Sequence, residues 1–265
     1  MSEFELTSFA GQNVIVTGAA SGIGKAAAEL IASRGAKIFA LDLNQAGLAA
    51  TKAGIEKAGI EKDGIEKDGG QIVTKVLDIS SQDAINAVIA EILNEAGQIH
   101  ALANSAGIAG PTSTNTEEIN WNDFHKTLTI NLFGSIWLTQ ALLPSMRTNK
   151  YGRIVHLASI AGKEGNPGMS PYNTSKAGLI GYVKGVAKEV ATSGITINAI
   201  APAVIRTPIN ETVTPEIQKY MVSRIPVGRL GEPNEVAEVI AFAASKACSF
   251  TTGFTFDVSG GRATY

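Results

Sequence analysis

Apolar residues in this chain recur in two alternating rhythms. Residues 13–17, Asn-Val-Ile-Val-Thr, form a short apolar run that leads straight into Gly18. From Gly22 the spacing turns helical: Ile23, Ala26, Ala27, Leu30 and Ile31 share one face, and Gly35 supplies a stop. A second run, Ala36 to Leu41, ends at Asp42. This strand–helix–strand unit has the roughly 30 residues that a parallel crossover needs. Further strand-like runs lie at 71–77, 98–103, 152–158, 194–200 and 253–258. Helical spacing separates them at 82–96, 118–147, 171–192 and 233–246. Strand alternating with helix over the whole length predicts one α/β domain, 1–265, with a doubly wound parallel sheet and helices on both faces.

One segment follows neither rhythm. Residues 53–69 repeat a five-residue unit, Ala53-Gly54-Ile55-Glu56-Lys57, then 58–62 and 63–67, closing on Asp68-Gly69. On a helix Ile55, Ile60 and Ile65 would step around the axis by about 140° per repeat, so a period of five suits neither helix nor strand. The expectation is a partly disordered surface insertion between the second helix and the third strand, with a partner-docking segment as the alternative.

Composition narrows the class. The 265 residues are 45% hydrophobic and 17% charged, enough to bury one large core. A net charge of −2 and a pI near 6.0 offer no basic patch for nucleic acid or an anionic membrane. No stretch reaches the ~20 apolar residues of a membrane helix. The start, Met1-Ser2-Glu3-Phe4-Glu5, is acidic and unlike a signal peptide. One cysteine, Cys248, fits a reducing compartment, so a cytoplasmic location is expected.

The first strand–helix turn reads Thr17-Gly18-Ala19-Ala20-Ser21-Gly22-Ile23-Gly24. Glycine permits a tight turn and lets backbone approach a ligand closely. The following helix would aim its free N–H groups and positive dipole end at a pyrophosphate. The spacing G-x-x-x-G-x-G differs from the usual G-x-G-x-x-G, yet it sits in the strand-to-helix context that a Rossmann-like dinucleotide site requires. Asp42, eighteen residues beyond Gly24, ends the second strand, where a carboxylate accepts hydrogen bonds from both adenosine ribose hydroxyls. It would repel a 2′-phosphate. Neither Leu43 nor Ser21 offers a compensating cation, and Arg34 and Lys37 belong at the far ends of their helix and strand. NAD is therefore expected over NADP.

Tyr172 and Lys176 lie four apart on a predicted helix and share a face, with Ser170-Pro171 as a helix-start signal. A free tyrosine, with a pKa near 10, is a poor base at neutral pH. A neighbouring ammonium and an oxidised nicotinamide would favour the phenolate. Ser159 closes the strand 153–158, placing its hydroxyl at the carboxyl edge of the sheet, where ligands gather in open α/β folds.

These motifs in this order, with Asn104-Ser105-Ala106-Gly107 and Asn131 between them, resemble the short-chain dehydrogenase/reductase family, in its single-domain branch of about 250 residues. The likeness runs from Gly11 to Gly261. It implies an oxidoreductase with Tyr172 as general acid/base, Ser159 bonded to the substrate oxygen, and Lys176 on the nicotinamide ribose. It further implies Asn131 holding a relay water, Asp78 and Ile79 beside the adenine, and the 104–107 segment (Asn104, Ala106 and Gly107) against the cofactor. Pro202, Ile205 and Thr207 would cover the nicotinamide. A homotetramer built on the helices at about 115–145 and 170–192 is implied too; Ala177, Ile180, Val183, Ala187 and Val190 are read as surplus apolar surface on the second. Three positions depart from the family pattern: Ser105 for a second Asn, Ala203 for a Gly, and Ser259 for an Asp before Gly260-Gly261. Epimerisation or dehydration on retained NAD, and a non-enzymatic NAD-binding role, are the competing readings. The first would call for a separate substrate domain, the second for loss of Tyr172 or Lys176.

His100, His125 and His156 lack metal-ligand spacing, so no metal is expected, and His156 and Cys248 read as packed residues. Residues 207–229, with Pro208, Pro215 and Pro226 around a helical patch at 216–224, read as a substrate lid. Lys163, Glu164 and Asn166 are candidate polar contacts for a small polyol, sugar or hydroxy acid. The closing residues 262–265 could reach a neighbouring site.

Overall fold

The computed structural model describes residues 6–60, 71–207 and 214–263. Seven strands form one sheet: β1 (Asn13–Thr17), β2 (Lys37–Asp42), β3 (Ile72–Val76), β4 (Ala101–Asn104), β5 (Gly152–Leu157), β6 (Ile195–Pro202) and β7 (Thr255–Val258). Their order is β3-β2-β1-β4-β5-β6-β7, and every pairing is parallel. Parallel pairing sends the carboxyl ends of all strands to one edge. The order reverses between β1 and β4, and there the chain ends part to leave a crevice.

Alternation along the strands decides which helices cover which face. Val14, Val16, Ile38 and Ala40 join Ala27, Ile31, Ile240 and Ala241 in one buried cluster. That face is covered by α1 (Gly22–Ser33), α2 (Gln45–Ile60) and α9 (Pro233–Ala244). Ile15, Phe39, Leu41, Leu102 and Ile154 face the other way, onto α3 (Gln82–Ala96), α5 (Gly134–Thr148) and α7 (Ser170–Val190). Each larger aliphatic side chain buried in these layers contributes roughly 1.5–3 kcal/mol. Among the described residues, no helix is long and apolar enough to cross a membrane.

The helix expected over 118–147 is broken into α4 (Trp121–Leu128), a π-helical turn over Thr129–Phe133, and α5. The extra residue of such a turn rotates the following face. Here it buries Asn131, whose side chain bonds both the N–H and the C=O of Ile108 at 2.9 Å. Gly134 follows because a Cβ there would lie 2.6 Å from the Ile79 carbonyl oxygen. Two short α-helices, α6 (Ala161–Glu164) and α8 (Pro215–Ser223), and two single 3-10 turns, Thr116–Glu118 and Ala191–Ser193, add to these.

Two expectations change. The five-residue repeat is helical where it begins, since α2 runs through Ile60. A single repeat is too short for the 140° drift to matter: Leu48, Thr51 and Ile55 stay on one buried face, and Lys52 pairs with Glu56 one turn on. Residues 61–69 lie outside the described residues. In α7, Ile180, Val183, Ala187 and Val190 are buried within this chain, so of the expected stripe only the small side chain of Ala177 is left exposed for a partner. Large apolar side chains left outside lie elsewhere, Trp121, Phe250 and Phe254 among them.

Ile55, only 5% exposed, should carry the docking of this helical end. Ile55→Ala is expected to lower stability by about 2–4 kcal/mol in urea denaturation. A loss below about 0.5 kcal/mol would show that this end of α2 is not packed.

Candidate active site

The site is built first from a close approach of backbone to backbone. Gly18 and Gly22 hold φ of +66° and +53°, which L side chains rarely adopt. A Cβ on Gly24 would stand 2.1 Å from the Gly18 carbonyl oxygen, and one on Gly18 would stand 2.9 Å from the Ala106 nitrogen. The turn therefore lies flush against both α1 and the β4 loop, and the first N–H groups of α1 open into the crevice.

Asp42 fixes that turn from the side. Its Oδ2 accepts the Ala20 N–H at 3.1 Å and its Oδ1 the Asn44 N–H at 2.9 Å. A carboxylate has about four acceptor positions, so two remain for hydroxyl donors. Arg34 and Lys37 are occupied far from the crevice, on Glu238 and Glu95. Leu43, beside Asp42, is two-thirds exposed and carries no charge.

Behind the crevice runs a buried polar chain. Thr17 Oγ1 donates to Asn104 Oδ1 at 2.6 Å and accepts the Ala106 N–H at 3.2 Å. Asn104 Nδ2 reaches Ser135 Oγ at 2.8 Å and His156 Nδ1 at 3.0 Å, and His156 Nε2 meets Thr139 Oγ1 at 2.9 Å. Burial, with the Lys176 charge second, brings the His156 pKa down to about 3. A neutral ring thus ties β1, β4, β5 and α5 together.

On the far side of the crevice stand Ser159, Tyr172 and Lys176. Ser159 Oγ accepts the Ala161 N–H at 3.1 Å and is hydrogen-bonded to Tyr172. Lys176 Nζ donates to the Leu157 carbonyl at 2.6 Å and lies 5.6 Å from the Tyr172 ring centre. Burial lowers the Lys176 pKa to about 8. Burial also raises the phenol of Tyr172, with the Ser159 hydrogen bond opposing it. The lowered phenol pKa expected from the lysine is thus not a property of the chain alone; desolvation dominates.

All of this opens into one cleft of about 520 Å³. Gly18, Ser21, Gly22, Ile23 and Gly24 line it from the turn, and Asp42, Leu43, Asp78 and Ile79 from the ends of β2 and β3. Ala106 and Gly107 line it from the end of β4, Ser159, Tyr172 and Lys176 from β5 and α7, and Pro202, Ile205 and Thr207 from β6 and beyond. From β2 to β5 is three strand spacings, about 14 Å, a span suited to an extended dinucleotide. The glycine cradle, the free acceptors of Asp42 and the unpartnered buried hydroxyl of Ser105 all fit such a ligand.

Two predicted residues are not in the wall. Asn104 belongs to the polar chain behind it, and Asn131 is fully buried, bonded to Ile108 and to Ser175 Oγ at 3.1 Å. Of the three polar candidates between Ser159 and Tyr172, only Asn166 reaches the cleft. Lys163 pairs with Asp257 and Glu164 with Arg262. Met169, Met221 and Arg262 line the cleft as well. Met221 falls within the expected lid, and Met169 has no signal in its spacing. Arg262, expected to reach a neighbouring site, lines the cleft of its own chain, 96 residues beyond Asn166, while 264–265 lie outside the described residues. Ala203 keeps a negative φ, as a non-glycine residue there must.

A family model described as "Enoyl-(Acyl carrier protein) reductase", of the short-chain dehydrogenase type, matches residues 18–263. The chain is 42% identical over 257 residues to the 2-dehydro-3-deoxy-L-rhamnonate dehydrogenase (NAD(+)) of Sphingomonas sp. strain SKA58, covering 97% of each chain. It is 37% identical over 252 residues to a 3-oxoacyl-(acyl-carrier-protein) reductase of Thermotoga maritima, covering 95% of this chain and 97% of that one. Among solved structures, levodione reductase superposes with a TM-score of 0.89 at 30% identity, covering 96% of this chain and 98% of that one.

The buried imidazole sets an acid limit. An unfolded histidine binds its proton at 6.5 and the folded one only near 3, so His156 supports the fold fully above pH 6.5 and loses that support as pH falls toward 3. In His156→Gln the fall of stability with acid should be shallower than in wild type by up to about 1.4 kcal/mol per pH unit over that window, read by urea titrations at stepped pH. Equal slopes would mean the ring is charged inside the fold.

Proposed function

Because the chain belongs to the short-chain dehydrogenase/reductase family of oxidoreductases acting on CH–OH groups, we propose that it is an NAD(H)-dependent dehydrogenase of a small polyhydroxy or hydroxy acid. The observation that carries the reading is the placing of Asp42 and the Ser159–Tyr172–Lys176 group at opposite ends of one cleft. NAD held in the glycine cradle would supply the hydride acceptor and a positive charge near the phenol.

The residues then divide the remaining work. Ser159 Oγ holds the substrate oxygen beside the phenol. Tyr172 takes the hydroxyl proton when the alcohol is oxidised and returns it when the carbonyl is reduced. Lys176, pinned by the Leu157 carbonyl, keeps an ammonium behind the phenol below about pH 8 and favours its anion there. Of the proposed lid, 208–213 lie outside the described residues; Met221 on α8 reaches the cleft and would help exclude water while this occurs. The sugar-acid substrate class is supported by the rhamnonate dehydrogenase relative and by the polar connection around Asn166.

Absorbance of reduced nicotinamide, followed with NAD and a panel of aldonic and 2-dehydro-3-deoxyaldonic acids, tests the activity; preference for a 3-oxoacyl thioester would overturn the substrate class. Tyr172→Phe should lower kcat by about 10²–10⁴-fold while NADH still binds, and undiminished turnover would remove the proton-transfer role. Asp42→Ala should lower kcat/KM for NAD by about 10- to 150-fold and leave NADP no worse. Wild-type enzyme more efficient with NADP than with NAD would contradict the cofactor assignment.

A further inference from the structure

We infer that Arg262, held by Glu164 and Asn166, is the specificity residue that receives the carboxylate of the substrate; this rests on the proposed hydroxy-acid reading. Among the described residues, the charged ones in the cleft wall are Asp42, Asp78, Lys176 and Arg262. The two aspartates follow β2 and β3, beyond the glycine turn. Lys176 is buried and spent on the Leu157 carbonyl. Arg262 is thus the one cation on the Ser159–Tyr172 side, among the described residues, that is not committed below the floor.

Its placement is constructed by the turn that follows β7. Gly260 and Gly261 take φ of +63° and +87° after β7. Ser259 accepts the Arg262 N–H on its carbonyl at 3.4 Å and the Ala263 N–H on its hydroxyl at 3.0 Å. Asp257 Oδ1 in turn receives the Ser259 N–H at 3.0 Å. The side chain is only 10% exposed. Nε donates to Glu164 Oε2 at 3.1 Å and one Nη2 hydrogen to Asn166 Oδ1 at 2.9 Å.

A guanidinium has five N–H donors in a rigid fork. Two are used, so three remain, both on Nη1 and one on Nη2, with no partner among the described residues. That edge is the one that grips a carboxylate through two parallel bonds. Glu164 is not in the cleft wall, so it can orient the fork without meeting the incoming anion. An ion pair this buried adds little to stability on its own, because desolvation offsets the attraction. Two polar residues of the connection carrying Ser159 to Tyr172 thus aim an unsaturated guanidinium into the space those residues serve.

The test separates this from the activity itself. Protein saturated with NADH is titrated by calorimetry with L-rhamnonate, whose hydroxyls find no hydride acceptor and which has no ketone for NADH to reduce, and with its carboxamide. Wild type should bind the acid more tightly than the amide. In Arg262→Gln that preference should fall by about 10- to 100-fold, and Arg262→Lys should keep part of it. The double variant Glu164→Gln/Arg262→Gln, which leaves no stranded carboxylate, should match Arg262→Gln, and NADH affinity reports that each variant is folded. No preference in wild type, or an intact one in Arg262→Gln, overturns the assignment. Absence of turnover with NAD across the acid panel would overturn the proposed activity instead.

Discussion

Everything in the cleft depends on one permitted collision. The carbonyl of Gly18 and the Cα of Gly24 share space that no other residue at position 24 would leave, 2.1 Å from where a Cβ would stand. That contact brings α1 against the end of β1 and turns its unsatisfied N–H groups toward the crevice. Asp42 on β2 then locks the intervening loop through the Ala20 N–H. On the proposed reading, the same contact would set the floor for a pyrophosphate and the distance from it to the Asp42 carboxylate. In a parallel sheet the strand ends cannot be moved independently, so a change at this turn is felt at β4 through the Ala106 backbone.

Burial does opposing things to the groups it surrounds. It neutralises His156, which lets the ring serve as a passive link in the chain from Thr17 to Thr139. It raises the Tyr172 phenol and weakens the Lys176 ammonium, so the pair by itself is poorly disposed to form a phenolate. A site so arranged takes little proton from an alcohol until further positive charge arrives beside the phenol. On the proposed reading, proton transfer would then be coupled to cofactor binding through desolvation.

What could be read along the chain was local. The turn glycines, Asp42 at a strand end, and Tyr172 four residues before Lys176 are each fixed by spacing within one or two elements. Asn131 was harder: a π-helical turn has no distinctive periodicity, and the glycine at 134 is explained only by the Ile79 carbonyl on another segment. The apolar stripe of α7 was legible as apolar, but whether a sheet face or a second chain covers it depends on packing that spacing does not encode. Lys163, Glu164 and Asn166 look alike in sequence. Asp257 and Arg262, more than ninety residues away, turn two of them from the cleft, while Asn166, which also accepts from Arg262, stays in its wall.

That long-range tie has a consequence for how chemistry and recognition are divided. Ser159 and Tyr172 flank a short connection whose middle, Glu164 to Asn166, is held by the guanidinium of the turn after β7. An anion drawn to Arg262 would load the same connection that bears the reacting hydroxyls. Its carboxylate would then be placed relative to the phenol by two rigid planar groups, the fork and the ring, rather than by a flexible side chain. A lysine in place of Arg262 could supply the charge but not the second bond or the plane. Substrate orientation would be lost before substrate affinity.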